Sequence, residues 1–296
     1  MAFVVRMVFL IVLFGATGAF GQSHIRQELS LKVDGRTRSY VLYAPANPEA
    51  PPKPLVIALH PGLSSGAKFE QASGLTNAAG AGHLTFAFPD GFKGTWNAGG
   101  CCGQAQERGI DDVKFITALI DELSKHPGID TRNVFLTGFS NGTKMSYRLA
   151  CERPDLIRAM APYGSSMDLS PGIACRPSRP VPILHIHGLL DKVAPFEGGP
   201  SSLKRVGIQP SARKTVEFWT QVNGCRRAKP SSVIPGASCV TYDKCAAETS
   251  LCTIEGLGHQ WPGFEAGPLL RRTLGPDRPD IHASDAILGF FFRHVK

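Results

Sequence analysis

Ser140 stands in Gly138-Phe139-Ser140-Asn141-Gly142, where the apolar run Val134 to Phe139 stops abruptly and Lys144 to Cys151 begins to read as a helix. A hydroxyl placed where a strand turns sharply into a helix projects from the sheet edge, which suits a nucleophile that attacks a carbonyl carbon. Gly138 and Gly142 have a steric reason to flank it, because a Cβ at either would meet the neighbouring strand or helix where the turn is tightest. Such a serine needs a base to take its proton, an acid to orient the base, and N–H donors for the oxyanion that forms.

Each part has a candidate downstream. The apolar run Val181 to Ile186 ends at His187-Gly188-Leu189-Leu190-Asp191, which makes Asp191 the first choice of acid, with Glu197 in reserve. His259, in the Gly-rich loop Gly256-Leu257-Gly258-His259-Gln260-Trp261-Pro262-Gly263, is the expected base. The order Ser, Asp, His is that of an α/β-hydrolase. One oxyanion donor is expected from the backbone of Asn141; the other comes from Gly62, with Leu63 second, because Pro61 has no N–H. His185 and His187 alternate on one strand face but have no third ligand near them, so structural roles are expected and no metal or cofactor is. His282 and His294 flank the last helix and read as surface residues. Asn141-Gly142-Thr143 is a glycosylation sequon that modification would turn into a blocked site, so it is read as accidental. Trp96 and Trp261 sit in polar loops beside this machinery. They are expected to contact substrate, against the alternative of covering the core edge.

The elements that must position these residues follow from apolar patterning. Gln27 to Val33 and Thr37 to Tyr43 alternate around Asp34-Gly35, an antiparallel hairpin that should start the sheet. Leu55 to Leu59 is apolar throughout, as expected of a strand covered on both faces. A weak helix is expected over Lys68 to Ala79, a strand at Leu84 to Phe88 and a helix at Ile110 to Lys125. Beyond the elbow come strands at Ala159 to Pro162 and Val181 to Ile186, a helix at Ala212 to Val222, strands at Ser238 to Tyr242 and Ser250 to Glu255, and a last helix from Ala283 to His294. Strands alternating with helices predict an α/β-hydrolase: a mostly parallel central sheet, helices on both faces, and an N-terminal antiparallel hairpin.

Residues 1–21 carry Arg6, a short apolar run from Met7 to Phe14 and small residues at the end, the pattern of a signal peptide cut before Gln22. Residues 22–296 are then expected to form a single catalytic domain, secreted or periplasmic, with no membrane span in the mature protein. The net charge of +8 falls by one once Arg6 leaves. Its cations are scattered, with no basic helix or aromatic stripe, which argues against nucleic-acid binding. In an exported chain, the eight cysteines Cys101, Cys102, Cys151, Cys175, Cys225, Cys239, Cys245 and Cys252 suggest disulfides. Cys239 to Cys252 across paired strands and Cys225 to Cys245 are the preferred pairings; Cys101 and Cys102 could reach Cys151 and Cys175, but spacing fixes no connectivity.

Together Leu59-His60-x-Gly62, Trp96-Asn97-Ala98-Gly99-Gly100-Cys101-Cys102, Asp111-Asp112-Val113, the Ser140 elbow and Gly258-His259-x-Trp261-Pro262-Gly263 resemble the secreted polyhydroxybutyrate depolymerase and feruloyl esterase family, related to carbohydrate esterase family 1. The likeness covers most of the chain after residue 21. It implies a serine esterase whose substrates are hydroxyalkanoate polyesters or oligomers, or hydroxycinnamate esters of plant polysaccharide. Pro61 departs from the glycine more usual there. No separate polymer-binding domain is seen, which favours small soluble esters. Two other readings compete: a catalytically inactive hydrolase fold that binds saccharide or a partner, and a peptidase on the same fold.

Overall fold

The computed structural model describes residues 24–47, 49–168 and 174–296; the signal-peptide reading of residues 1–21 lies outside them. The chain opens with the hairpin β1 (His24–Val33) and β2 (Arg36–Pro45), turned by Asp34 and Gly35, both at positive φ. β3 (Lys53–Leu59), α1 (Gly66–Ser73), β4 (Thr85–Pro89), α2 (Gly103–Glu107), α3 (Asp112–Leu123), β5 (Ile129–Phe139), α4 (Asn141–Glu152), β6 (Ala159–Tyr163) and β7 (Ile183–Gly188) follow. A two-strand ribbon of β8 (Gly199–Pro200) and β9 (Ile208–Gln209) precedes α5 (Ala212–Val222), β10 (Arg227–Ser231), β11 (Ser238–Asp243), β12 (Thr249–Ile254), α6 (Pro268–Leu274) and α7 (Ala283–Phe292).

Ten strands form one sheet in the order β1-β2-β4-β3-β5-β6-β7-β12-β11-β10. Pairing is parallel from β4 through β3, β5, β6 and β7 to β12, and antiparallel at both ends. The expected hairpin therefore forms one edge. The apolar strands alternate their side chains between two cores. Leu55, Ile57, Leu59, Val134 and Leu136 pack with residues of α3 and α4, whereas Val56, Ala58, Phe135 and Phe139 pack with residues of α1 and α7. A sheet covered on both faces has one place to expose chemistry: the loops at the carboxyl ends of its parallel strands, where Ser140, Asp191 and His259 all lie.

Three local expectations need correction. The helix expected to run to Ala79 stops at Ser73, because Gly74 adopts a left-handed φ of 61° and the chain continues as a separate turn, Leu75–Asn77. β5 begins at Ile129 rather than Val134; its register against β3 shifts between Pro54 and Leu55, and this irregularity hides the start of the strand from periodicity. The third concerns cysteines. Cys239 and Cys252 are paired in register across β11 and β12, and Cys225 is bonded to Cys245, each with Cα atoms 4.1 Å apart. Cys101 and Cys102 do not reach Cys151 and Cys175. They bond to each other, and Cys151 bonds to Cys175 at a Cα separation of 4.8 Å. Cys151, in the last turn of α4, also lies 3.7 Å from Met167 Sδ. Among the described residues no helix is long and apolar enough to cross a membrane.

Candidate active site

Ser140 joins β5 to α4 with φ 56° and ψ −113°, a conformation an L-residue adopts only at a cost. The turn that enforces it is closed by backbone packing. A Cβ on Gly138 would lie 2.6 Å from Gly142 carbonyl atoms, and one on Gly142 would lie 2.6 Å from the Leu59 carbonyl carbon and 2.8 Å from His60 O. Ser140 N–H donates to Tyr163 O at 3.1 Å, and Thr143 Oγ1 lies 2.7 Å from Gly138 O while accepting Tyr163 N–H at 2.9 Å. These bonds tie the elbow to β6 and leave the Ser140 side chain half-buried.

His259 Nε2 lies 2.8 Å from Ser140 Oγ, and His259 Nδ1 lies 2.6 Å from Asp191 Oδ2. Nδ1–H therefore donates to the carboxylate while Nε2 accepts the serine proton, the tautomer a general base requires. The loop carrying His259 is pinned from behind: Gly258 N–H donates to Pro276 O and His259 N–H to Leu274 O, at 2.7 and 2.6 Å. Gly258 is the only residue type that fits, since a Cβ would lie 2.5 Å from Leu274 O. Asp191 Oδ1 accepts the N–H groups of Val193 and Ala194 at 2.8 and 2.7 Å. Burial pushes this carboxyl up, but the charge and hydrogen bond of His259, with His187 and the Ala194 N–H, outweigh it and hold Asp191 below the usual range. Glu197, the reserve acid, is instead an exposed partner of Arg213 at 2.6 Å.

On the oxyanion side, Leu63 N–H is already spent on Gly94 O at 2.7 Å. That leaves Gly62, where an added Cβ would lie 3.6 Å from Cβ of Asn141, the first residue of α4. Pro61 does not disorder this loop: its carbonyl accepts His60 Nδ1–H at 2.7 Å, and His60 Nε2 accepts Gly91 N–H at 2.8 Å. Asn141 is 4% exposed and its side chain brackets a backbone, Oδ1 accepting Trp96 N–H at 2.8 Å and Nδ2 donating to Trp96 O at 3.1 Å. A side chain so enclosed offers no acceptor for a glycan, in keeping with the accidental reading of the sequon.

Neither tryptophan has a face free for substrate. Trp96 is wholly buried, its Nε1–H donating to His60 O at 3.0 Å and its ring stacked on Phe115. Trp261 is 3% exposed and lies edge-on to Phe69 and Tyr163, with Nε1–H on Ser284 Oγ at 3.2 Å. Both are corrections to the substrate-contact expectation. A loop can fold its large ring inward as readily as outward, and both indoles find apolar walls and an acceptor inside. His294 is likewise half-buried against Glu248 at 3.1 Å rather than free at the surface.

Several supporting residues escaped the sequence reading. The loop that carries Trp96 is held by Asn97 N–H on Asp112 Oδ2 at 2.8 Å, and Asp112 is paired with the buried Arg38 at 2.7 Å. Lys144, one turn into α4 and 3% exposed, meets Asp168 at 2.7 Å, and Asp168 O accepts Gly100 N–H. Burial lowers the Lys144 ammonium from its usual range against the pull of Asp168. Nothing in the spacing of Arg38 and Asp112 or of Lys144 and Asp168 marks them as partners, because their contacts span the fold. His185 and His187 contact each other at 3.3 Å and line no group of acids or cysteines that could hold a metal among the described residues.

Comparison with known proteins places this geometry in a family. The α/β-hydrolase profile described as Phospholipase/Carboxylesterase matches residues 46–207, more than half of the chain. Feruloyl esterase B of Piromyces equi is 34% identical over 70% of this chain, which spans only 39% of that protein's length. A protein named Probable feruloyl esterase C in Aspergillus niger is 30% identical over 81% of both chains. Among solved structures, an acetyl xylan esterase from Aspergillus awamori superposes with a TM-score of 0.60 at 16% identity, over 80% of this chain and 94% of that one, a likeness of fold. With its elbow, parallel sheet and matched profile, the chain belongs to the Phospholipase/Carboxylesterase family of α/β-hydrolases.

Proposed function

We propose that this chain is a serine esterase that cleaves carboxylic esters through an acyl-enzyme on Ser140. The observation that carries the reading is the unbroken line from Ser140 Oγ through His259 to Asp191, with bonds of 2.8 and 2.6 Å. In this reading His259 takes the serine proton as Oγ attacks, then returns it to the leaving alcohol. Asp191 holds the ring and its positive charge, and the N–H groups of Gly62 and Asn141 receive the oxyanion. Water enters by the same path to release the acid.

Residues 22–296 act as one catalytic domain after export, a reading supported by the apolar leader and by four disulfides. For substrate, the esterase names of the relatives favour acylated polysaccharide, in particular hydroxycinnamate esters, ahead of hydroxybutyrate oligomers. The test is a panel of feruloyl, acetyl and 3-hydroxybutyryl esters with parent and Ser140→Ala protein. Parent turnover with a loss of about 10⁴-fold or more in kcat for Ser140→Ala supports the reading; a folded Ser140→Ala protein with appreciable activity ends it.

A further inference from the structure

We infer that Tyr147, His185 and His187 form a one-directional chain of hydrogen bonds that ends on the Asp191 loop and fixes that carboxylate for His259. The inference rests on the triad reading above and adds three positioning residues to it. Tyr147 lies on α4, the helix that Ser140 begins, and the two histidines share one face of β7. All three are fully buried. Tyr147 Oη is 2.7 Å from His185 Nδ1, His185 Nε2 is 3.3 Å from His187 Nδ1, and His187 Nε2 is 2.8 Å from Ala194 O and 3.8 Å from Asp191 Oδ2.

The direction follows from the last link. Ala194 O and the Asp191 carboxylate can only accept, so His187 must carry its proton on Nε2. Burial lowers both histidines from their usual range and keeps them neutral, so His187 Nδ1 is then an acceptor. His185 must therefore donate from Nε2, which makes its Nδ1 an acceptor and the Tyr147 hydroxyl the donor that starts the chain. Reversing any one bond would set two lone pairs facing each other somewhere along it.

What the chain does is set by where it ends. Ala194, whose carbonyl receives His187, also gives its N–H to Asp191 Oδ1 at 2.7 Å. The His187 N–H thus grips the residue that holds the carboxylate and turns its own positive end toward Oδ2. The groups facing Asp191 are then His259 Nδ1, His187 Nε2 and the N–H groups of Val193 and Ala194; the nearby Tyr163 phenol is committed to Gln260 O. As His259 gains the serine proton, these fixed dipoles keep Asp191 ionised and in place with no rearrangement. Three polar rings in a dry core are costly unless each polar atom is paired, and apolar side chains would fill the same space without that demand.

The experiment reads ¹⁵N imidazole shifts at neutral pH, then the kinetics of His187→Met, His187→Gln and Tyr147→Phe. Expected are Nε2–H tautomers for both His185 and His187 in the parent. His187→Met should lose about tenfold or more in kcat with KM within about twofold, and the acid limb of kcat/KM should move to higher pH as the carboxylate loses a donor. Gln at 187, whose amide can still donate to Ala194 O, should recover much of the loss; Tyr147→Phe should leave both Nε2–H tautomers in place, because the direction is set from Ala194 O, and shift the His185 Nδ1 resonance as that acceptor loses its donor. A neutral Nδ1–H His187, a cationic ring at neutral pH, or a folded His187→Met enzyme with parental kcat and pH profile would overturn the inference. If His187→Met does not fold, the parent spectrum and the Gln variant decide it. The tautomers are read without turnover, so an active Ser140→Ala protein would remove the triad reading and leave this measurement intact.

Discussion

Ser140, His259 and Asp191 meet only because neighbouring residues leave them no other conformation, and several of those neighbours do their work from inside the core. Trp261 shows the principle. Two residues past His259, its ring fills the space between Phe69, Phe139 and Tyr163, and its N–H reaches Ser284, which in turn donates to Ser73 O at 2.6 Å. The His259 loop is thereby anchored to both α1 and the start of α7. Trp261→Ala should cost about 3 to 5 kcal/mol of stability from the cavity alone. It should also depress feruloyl and acetyl esters by a similar factor, because the loop that carries His259 loosens for every substrate. Thermal unfolding beside kcat/KM for the two esters checks this; an altered ester ratio at unchanged stability would contradict it.

The strand–turn–helix of β5, Ser140 and α4 is the element on which the site depends, and its geometry is written into two glycines. Gly142 has the backbone of Leu59 and His60 within reach of any added Cβ. Gly142→Ala must push β3 and α4 apart, at about 2 kcal/mol or more, and it should lower activity further than stability since Asn141 moves with the turn. Denaturant unfolding and kcat measured together test that order. This element was legible because its signals are local: an apolar run, the two glycines and a helical pattern within about fifteen residues. The same holds for the hairpin at Asp34-Gly35 and for the Cys239 to Cys252 bridge, where the alternation of two neighbouring strands sets the register. Long-range choices were not legible. Whether Trp96 turns inward depends on His60 O and Phe115 being there to receive it, and the bonding of Cys101 to Cys102 and of Cys151 to Cys175 is a choice among cysteines that the fold brings near. Spacing carries neither fact.

Across the whole molecule the sheet divides the labour, with the candidate triad at the carboxyl ends of its strands and closure of the fold at the other. There Glu248, just before β12, binds Arg293 and His294 at 2.8 and 3.1 Å and so ties the end of α7 to the sheet. Burial pushes the Glu248 carboxyl up, but the hydrogen bonds and charges of His294 and Arg293 outweigh it and bring it down to about 2. A carboxyl depressed on folding stabilises the protein above its unfolded value, near 4.5, and that contribution is lost as pH falls toward 2. Glu248→Gln should therefore lower stability at neutral pH and flatten the acid limb between those values, by an amount reduced by partial exposure. Unfolding midpoints from pH 2 to 7 for the two proteins check the sign; parallel curves would contradict it.

If Ser140 is an activated nucleophile, a fluorophosphonate probe followed by peptide mass mapping will find it. Only a serine whose proton is taken by a neighbouring base, with donors waiting for the oxyanion, reacts quickly with such a probe. One adduct per chain is expected, on the peptide holding Ser140, with labelling slowed by orders of magnitude in His259→Ala protein. A folded parent that takes no label, or takes it on another residue at a rate that His259→Ala leaves unchanged, would contradict it.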